Sequence, residues 1–292
     1  MIDLHTHIWD VDAHLSPSFR EVMGRSFRAT PSAASECAPA TPELHWEAYQ
    51  QAKTKLEQAP NKVVVLAFDM GHSGAVVPNE YVADYVKSQP EHLVGFASVD
   101  PNREDALERL RWAHQHLGLK GLKMSGTYQN VHPHADSVYT LYRYCEQHGL
   151  PILLHHGATI IPQAPLAYAK PLLLEQVAQD FPNLKIVIAH IGFPWTTDAI
   201  TVMRKHANVF ADLSALCYRP WQLYNAFITA MEATVTDKIF FGTDWPFTTL
   251  EQTLTALRQL PDMGQHCHFP RVPPELIDEI IYKDSLAQLG VS

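Results

Sequence analysis

Residues 2–8 read Ile2-Asp3-Leu4-His5-Thr6-His7-Ile8, and this stretch organises the prediction of both the fold and the function. A short apolar run of this kind predicts a buried strand. Alternation along that strand would place His5 and His7 on one face and the three apolar residues of the stretch on the other. Two imidazoles on one face can bind a single metal ion, which then needs further ligands from other parts of the chain.

Seven further apolar runs follow, each separated from the next by a helical pattern. They cover residues 62–69, 93–100, 121–124, 151–157, 184–190, 209–214 and 238–244. Strands that alternate with helices in this way are parallel. Eight such units predict a closed (β/α)8 TIM barrel, which is typically about 250 residues long. The alternative is an open doubly wound sheet, in which the first and last strands could lie far apart.

We find no linker in the 292 residues, so a single domain is predicted over residues 1–292. Residues 14–42 show no clear helical or strand period and contain several prolines, which predicts a long loop over the barrel mouth. Arg20, Arg25 and Arg28 lie in this loop and are candidates for binding a substrate carboxylate. Residues 273–290 predict a C-terminal helical extension.

The composition is that of an ordinary globular protein, with 46% hydrophobic and 18% charged residues. The formal net charge of −9 argues against nucleic acid as a partner, because phosphate binding needs clustered Lys and Arg. No apolar run reaches the roughly 20 residues of a membrane span. The four cysteines are scattered, without a C-x-x-C pair, and no signal peptide precedes them, which favours a cytoplasmic location. The expected partner is a small-molecule substrate, and a homo-oligomer is left open.

Residues with metal-binding or acid–base chemistry share one position, the carboxyl end of a predicted strand. They are His5, His7, Lys123, His155, His190 and Asp244. In a barrel all these ends open on one face, which is where barrel active sites lie. Closure makes strands one and eight neighbours, so Asp244 can reach a metal held by His5 and His7. Trp9 and Trp245 flank these residues and would either wall the substrate pocket or pack.

One divalent metal ion is therefore expected. Imidazole and carboxylate ligands suit zinc, and the same set accepts Mn, Fe, Co or Ni.

Five motifs occur at the strand positions in the expected order. They are His-Thr-His at 5–7, Gly-Leu-Lys-Met at 121–124, Leu-Leu-His-His-Gly at 153–157, Ile-Ala-His-Ile-Gly at 188–192 and Phe-Gly-Thr-Asp-Trp-Pro at 241–246. Together they resemble the amidohydrolase superfamily, and most closely its amidohydrolase-related branch. That branch contains enzymes like aminocarboxymuconate-semialdehyde decarboxylase and several hydrolases. The resemblance extends from residue 3 to about residue 286.

The resemblance implies a role for each strand-end residue. The metal ligands it implies are His5, His7, His155 and Asp244, with His156 as the neighbouring alternative on strand five. His190 resembles a catalytic histidine in relatives with one metal and a ligand in relatives with two. Lys123 matches a strand-four lysine and is expected to contact substrate. Relatives that resemble this chain have Lys-Leu-His-Pro at this point, whereas residues 123–126 are Lys-Met-Ser-Gly, so the resemblance does not imply a shared substrate.

These expectations together predict a metal-dependent hydrolase of a small lactone, ester or amide that bears a carboxylate. Asp244 would accept a proton from the attacking water, and the metal or His190 would polarise the scissile carbonyl. The alternative is a metal-dependent, non-oxidative decarboxylase of an aromatic or unsaturated carboxylic acid. In that reaction Asp244 or His190 would protonate the carbon that loses CO2.

Overall fold

The strands of the protein follow the predicted pattern. The computed structural model describes residues 1–28, 37–56, 59–263 and 268–291, and the side chains of all of these except 25–28. The strands within these residues are β1 (Ile2–His7), β2 (Lys62–Leu66), β3 (Phe68–Met70), β4 (Ala75–Val77), β5 (Leu93–Ser98), β6 (Leu122–Met124), β7 (Ile152–Leu154), β8 (Ile186–Ile188), β9 (Val209–Asp212) and β10 (Ile239–Phe240). Eight of them form one parallel sheet in the order β1-β2-β5-β6-β7-β8-β9-β10.

Backbone hydrogen bonds join the two ends of this sheet. The amide of Leu4 donates to the carbonyl of Phe241 (3.1 Å), and the amide of His7 donates to the carbonyl of Trp245 (2.8 Å). In the other direction, the Asp244 amide donates to the carbonyl of His5 (2.8 Å). The first and last strands are therefore neighbours. The predicted (β/α)8 TIM barrel is confirmed, and the open-sheet alternative is excluded.

Helices lie between and around the barrel strands. They are α1 (Val11–His14), α2 (Pro17–Arg28), α3 (Pro42–Lys55), α4 (Asn79–Ser88), α5 (Ala106–Gln115), α6 (Asp136–His148), α7 (Leu174–Asp180), α8 (Thr196–Lys205), α9 (Pro220–Glu232), α10 (Leu250–Gln259), α11 (Pro274–Tyr282) and α12 (Ser285–Leu289). The last two lie in the segment expected to be a C-terminal helical extension. None of the described helices is long and apolar enough to cross a membrane.

The core has two layers. The barrel interior is filled by side chains that include Leu4, Phe96, Leu153 and Phe240, and Leu286 of α12 joins this cluster. A larger cluster lies between the outer faces of the strands and the surrounding helices. The interior is thus a packed plug beneath the mouth, as expected for a barrel of eight strands.

Strand β1 departs from simple alternation. Its register against β2 shifts between Asp3 and Thr6, so one extra residue is inserted on β1. As a result Leu4 belongs to the barrel interior, below the two histidines, while Ile8 packs on the helix side. The prediction that all the apolar residues of this stretch share the face opposite His5 and His7 is therefore wrong. A β-bulge changes the direction of the following side chains in this way, and such bulges are common beside active sites.

The segment predicted to be a long loop contains helix α2, so the prediction of irregular structure for residues 14–42 is wrong in this part. Pro17 occupies the first turn, where the missing N–H costs nothing. Phe19 and Met23, one helical turn apart, line the cavity at the barrel mouth. This spacing is a helical period that the surrounding prolines obscure in the sequence.

A small antiparallel hairpin, β3–β4, replaces the last residues of the predicted second strand. Helix α2 docks on this hairpin, because the Ser16 amide donates to the carbonyl of Gly74 (2.8 Å) and Leu15 forms a bridge with Ala75. Gly74 has φ +90°, and an added Cβ would lie 2.1 Å from the Ser16 hydroxyl. The hairpin and α2 thus form one wall of the mouth, and glycine is required where they meet.

Candidate active site

The predicted strand-end residues converge at the carboxyl end of the barrel. A cavity of about 180 Å³ lies there, and its wall includes His5, His7, Lys123, His155, His190 and Asp244, together with side chains named below. Lys123 is almost fully buried. The structure therefore brings together all six residues that the strand pattern placed at one mouth.

Left-handed backbone conformations occur at the ends of three adjacent strands. His190 has φ 58°, Ala215 φ 58° and Asp244 φ 65°. Such conformations are unfavourable for residues with a Cβ and persist only where the surroundings impose them. At Asp244 the surroundings do so from both sides, because its amide donates to the His5 carbonyl and its carbonyl accepts from the Phe247 amide (2.8 Å each).

Three potential ligand atoms lie close together in the cavity. The Nε2 atoms of His5 and His7 are 3.1 Å apart, and Oδ1 of Asp244 lies 3.4 Å from the first and 3.2 Å from the second. Ligands bound tetrahedrally at 2.0–2.1 Å would be about 3.3 Å apart. This group therefore fits one divalent metal ion. It is one of two sets of metal-ligand atoms within 4.8 Å of one another in the described part of the chain.

Burial determines the charge of these groups. It lowers the pKa of His5 and of His7 well below the ordinary value, and the nearby Lys123 lowers both further. Burial also lowers the pKa of Lys123 to about 8, against the opposing effect of Asp212 and Asp244. It raises the pKa of Asp244 to about 6. Neutral imidazoles are the form that binds metal, so burial keeps His5 and His7 in the state that a metal ion requires.

His155 lies on the same cavity wall, and its Nε2 atom is buried without a hydrogen-bond partner among the described residues. Its ring stacks on Tyr128 (4.7 Å between centroids) and lies 5.1 Å from the ring of His190. It stands outside the compact group of His5, His7 and Asp244. An unpartnered buried nitrogen facing these residues fits a further metal ligand.

The neighbouring His156 does not line the cavity. Burial lowers its pKa to about 3, and the other groups that act on it are His132 and His134 of the loop before α6. Of the two adjacent histidines, His155 is therefore the one that the fold presents to the site.

Asp212 and Ser214, at the end of β9, are site residues to which the sequence analysis assigned no role. Asp212 Oδ2 lies 2.9 Å from His5 Nδ1. The carbonyl of Ser214 lies 2.9 Å from His190 Nδ1. A carboxylate and a carbonyl only accept hydrogen bonds, so each imidazole carries its proton on Nδ1 and turns an unprotonated Nε2 to the cavity.

This tautomer changes the expected role of His190. Burial lowers its pKa to about 4, so the ring is neutral near pH 7. A neutral ring with its proton on Nδ1 has no donor on the cavity side. The expectation that His190 polarises a carbonyl by donating a hydrogen bond does not fit this arrangement, which suits a proton acceptor or a metal ligand.

Of the three arginines expected to reach the site from the segment after β1, Arg20 does not do so. Arg20 forms an ion pair with Asp12 (2.6 Å) on the surface and does not line the cavity. Helix α2 turns its apolar side to the cavity, which leaves this arginine outside. The side chains of Arg25 and Arg28 lie outside the described residues, so their predicted contact with substrate remains a prediction.

The two tryptophans have different positions. Trp9 lines the cavity and donates from Nε1 to the carbonyl of Ala38 (2.9 Å). Trp245 is absent from the cavity wall and packs edge-on against His45 of α3, with ring centroids 4.9 Å apart. Of the two alternatives left open for Trp245, this position favours packing, because its side chain lies against α3, on the opposite side from Asp244.

Arg219, just before α9, lines the cavity and is the one arginine to do so among the side chains that the structure describes. Its guanidinium lies over the rings of Tyr218 (4.2 Å) and Phe193 (4.6 Å) and donates to the carbonyl of Ala215. Its charge also lowers the pKa of Asp244. The sequence shows that Arg219 lies in the connection after a predicted strand, on the side of the barrel mouth. Surface arginines can occupy such connections too, so this position alone did not identify Arg219 as a site residue.

The family assignment agrees with this architecture. The amidohydrolase family profile matches residues 2–283 of the 292, so the chain belongs to the amidohydrolase family. Members of this family are metal-dependent enzymes and include both hydrolases and decarboxylases. No curated protein sequence shows a significant match to the chain.

Three solved structures illustrate the shared fold. An uncharacterised TIM-barrel protein from Bordetella bronchiseptica is 22% identical, with 99% of each chain covered and a TM-score of 0.76. A probable 2-pyrone-4,6-dicarboxylic acid hydrolase from Acinetobacter baumannii, with citric acid bound, is 15% identical (99% and 98% covered, TM-score 0.65). A dihydroxybenzoic acid decarboxylase from a Polaromonas species, with bound manganese, is 16% identical (99% and 96% covered, TM-score 0.61).

Proposed function

We propose that the protein is a metal-dependent hydrolase of a small lactone, ester or amide that bears one carboxylate. The observation that carries this proposal is the convergence of three buried ligand atoms, His5 Nε2, His7 Nε2 and Asp244 Oδ1, within 3.4 Å of one another at the cavity wall. We assign these three residues and His155 as the metal ligands. Zinc suits them best, and Mn, Fe, Co or Ni would also be accepted.

A divalent ion held there would supply an activated water molecule and polarise the carbonyl that is attacked. Asp244 then has the central proton-transfer role, because its carboxylate can accept the proton of the water and pass it to the leaving group. His190 Nε2, unprotonated and facing the same cavity, is the second group that can hold this proton. Lys123, with its Nζ 3.2 Å from His5 Nε2, is the cation that can bind a developing negative charge.

The cavity wall indicates the kind of substrate. Much of it is apolar, formed by aromatic and aliphatic side chains that include Phe19, Met23, Phe68, Met70 and Phe247. Among the described side chains, Arg219 is the one arginine that lines it. A guanidinium pairs with a carboxylate in a charge-assisted hydrogen bond. These features favour a compact substrate with one anionic group and an apolar remainder.

A decarboxylase is the second candidate, and the aromatic side chains of the wall favour it. Trp9, Phe68 and Phe247 could hold a flat ring, as an aromatic acid would need. The carboxylate that leaves as CO2 would then lie at the proposed metal site, and Asp244 or His190 would deliver a proton to the ring carbon. The Polaromonas structure shows that this fold supports such a reaction in another protein.

Metal analysis and a product-resolved screen test the proposal. Protein prepared with supplemented zinc or manganese is analysed for bound metal, and lactones, esters, amides and benzoates are then tested for acid release and for CO2. Bound metal with acid release and no CO2 supports the hydrolase, whereas CO2 release supports the decarboxylase. Asp244→Asn should abolish turnover and weaken metal binding, while the surface variant Asp84→Asn should change neither. Absence of bound metal after loading would contradict both candidates.

The role of His190 is tested separately. His190→Asn should retain the metal, because three histidines and Asp244 remain. It should slow turnover by roughly 100- to 10,000-fold, as the loss of a group that accepts and returns a proton does. A fall in metal stoichiometry from two to one would instead show that His190 holds a second ion. Full activity with unchanged metal would remove His190 from the reaction.

A further inference from the structure

One serine hydroxyl lies between two of the cavity histidines. Ser214 Oγ is 3.0 Å from His5 Nδ1 and 2.8 Å from His190 Nδ1, and it donates its own proton to Asp212 Oδ1. A hydroxyl has a single proton to donate. Once that proton is given to Asp212, Ser214 can only accept from the two imidazoles.

Asp212 is held in place by groups at the ends of β8 and β9. Its Oδ1 accepts from the backbone amides of His190 (3.1 Å) and Ser214 (3.0 Å) in addition to the Ser214 hydroxyl. Its Oδ2 is thereby left for His5 Nδ1 at 2.9 Å. Both Asp212 and Ser214 are fully buried, so water does not compete for these bonds.

We infer that Asp212 and Ser214 are positioning residues that fix His5 and His190 in the same tautomer, with both Nε2 lone pairs directed into the cavity. Two imidazoles that follow different strands, β1 and β8, thus share one set of acceptors. The inference rests on the proposed function at one point, namely that metal binding and proton transfer take place on the cavity side of the two rings. If His5 carried its proton on Nε2 instead, that proton would point at His7 Nε2, 3.1 Å away, and no lone pair would remain for a metal.

Replacement of Asp212 should weaken metal binding more than replacement of Ser214 does. Asp212→Asn can present an amide N–H to His5 Nδ1 and so favour the opposite tautomer. We expect it to weaken zinc binding about 10- to 100-fold, as the loss of a group that orients a histidine ligand typically does. Ser214→Ala leaves the Asp212 carboxylate and the Ser214 carbonyl in place, so its effect should be smaller than tenfold. Ser98→Ala is the matched control, since it removes a buried serine hydroxyl at the end of β5 that bonds to the Asp69 amide (2.9 Å).

The tautomers can be observed directly. Protein labelled with ¹⁵N-histidine is studied by long-range ¹H–¹⁵N correlation spectra, with and without zinc, and the two rings are assigned with His5→Gln and His190→Asn. We expect zinc-free wild-type protein to show a protonated Nδ1 and an unprotonated Nε2 in both rings, and Asp212→Asn to invert the pattern of His5. A protonated Nε2 on either ring of the wild-type protein would overturn the inference. So would an Asp212→Asn variant with an unchanged spectrum and zinc affinity within twofold of wild type.

Two features keep this test decisive. If Asp212→Asn does not fold, as judged by circular dichroism, the wild-type spectrum and Ser214→Ala still decide the outcome. The spectra need no substrate, so a failure to find hydrolysis would contradict the proposed function and leave the tautomer result intact.

Discussion

Gly74→Ala is a perturbation whose effect can be worked out from the geometry. Gly74 combines a left-handed backbone (φ +90°) with close contact to the start of α2. A Cβ at this position would lie 2.1 Å from Ser16 Oγ, 3.1 Å from Ser16 Cβ and 3.3 Å from Phe19 Cβ. The Ser16 hydroxyl can rotate away from the methyl group, but it then loses its bond to the Phe19 amide (3.2 Å). The two Cβ contacts still require a small shift of the hairpin or the helix.

Gly118→Ala separates the two effects. Gly118 also has a left-handed backbone (φ +76°), but nothing lies within 4 Å of the position of its Cβ. Its substitution should cost only the conformational term, about 1–2 kcal/mol of unfolding free energy. At Gly74 the steric term of overpacking, about 1–3 kcal/mol, adds to the same conformational term. We therefore expect a loss of about 2–5 kcal/mol at Gly74.

Displacement of α2 should also be visible at the mouth. Phe19 and Met23 would move away from the cavity, so Gly74→Ala should raise KM more than it lowers kcat, because the ligand groups on the strands stay in place. Trypsin should cleave α2 faster in this variant, since Arg20 lies on its outer side. The assays are urea unfolding at 25 °C and timed proteolysis. Equal unfolding free energies for the two alanine variants, within about 0.5 kcal/mol, would refute the proposed docking of α2.

Three further predictions concern single side chains. Arg219→Met should raise KM at least tenfold for a carboxylate substrate and less than threefold for its uncharged analogue, because the charge-assisted bond is lost. Equal changes in KM for the two substrates would refute the role of Arg219 in binding the carboxylate. His45 has a pKa lowered by burial to about 3 against an ordinary value of 6.5, so it stabilises the fold above pH 6.5 and this stability is lost as the pH falls. His45→Gln should therefore reduce the difference in unfolding free energy between pH 7 and pH 5 by about 2 kcal/mol, as measured by urea titration at both values. Tyr49→Phe removes the phenol that donates to the buried Asp3 (2.5 Å) and should cost about 1–3 kcal/mol; no measurable loss would mean that another donor replaces it.

The barrel itself was predictable from the sequence, for a local reason. A run such as Val63-Val64-Val65-Leu66 followed by a helical period depends only on residues close together in the chain. Repetition of that unit eight times implies parallel strands, and parallel strands place their carboxyl ends together. This is why His5, His155 and Asp244 could be assigned to one mouth before any contact was known.

Helix α2 was missed because the local pattern was misleading. Prolines at 17, 31 and 39 and many small residues suggested irregular structure, although Pro17 is compatible with a first helical turn. The four-residue spacing of Phe19 and Met23 indicates a helix only once the cavity that they cover is known. The bulge in β1 is similar, since it is defined by the register against β2 and has no signal of its own.

The details of the site depend on contacts between residues far apart in the chain. Asp212 and Ser214 meet His5 across separations of 207 and 209 residues, and no periodicity in the sequence connects them. Likewise, closure of the barrel decides that Asp244 faces the cavity while Trp245 faces α3. The sequence alone thus determined which chemical groups stand at the strand ends, because strand position is local. Only the tertiary structure decided which of their atoms face one another, because that depends on register, backbone conformation and closure across the whole chain.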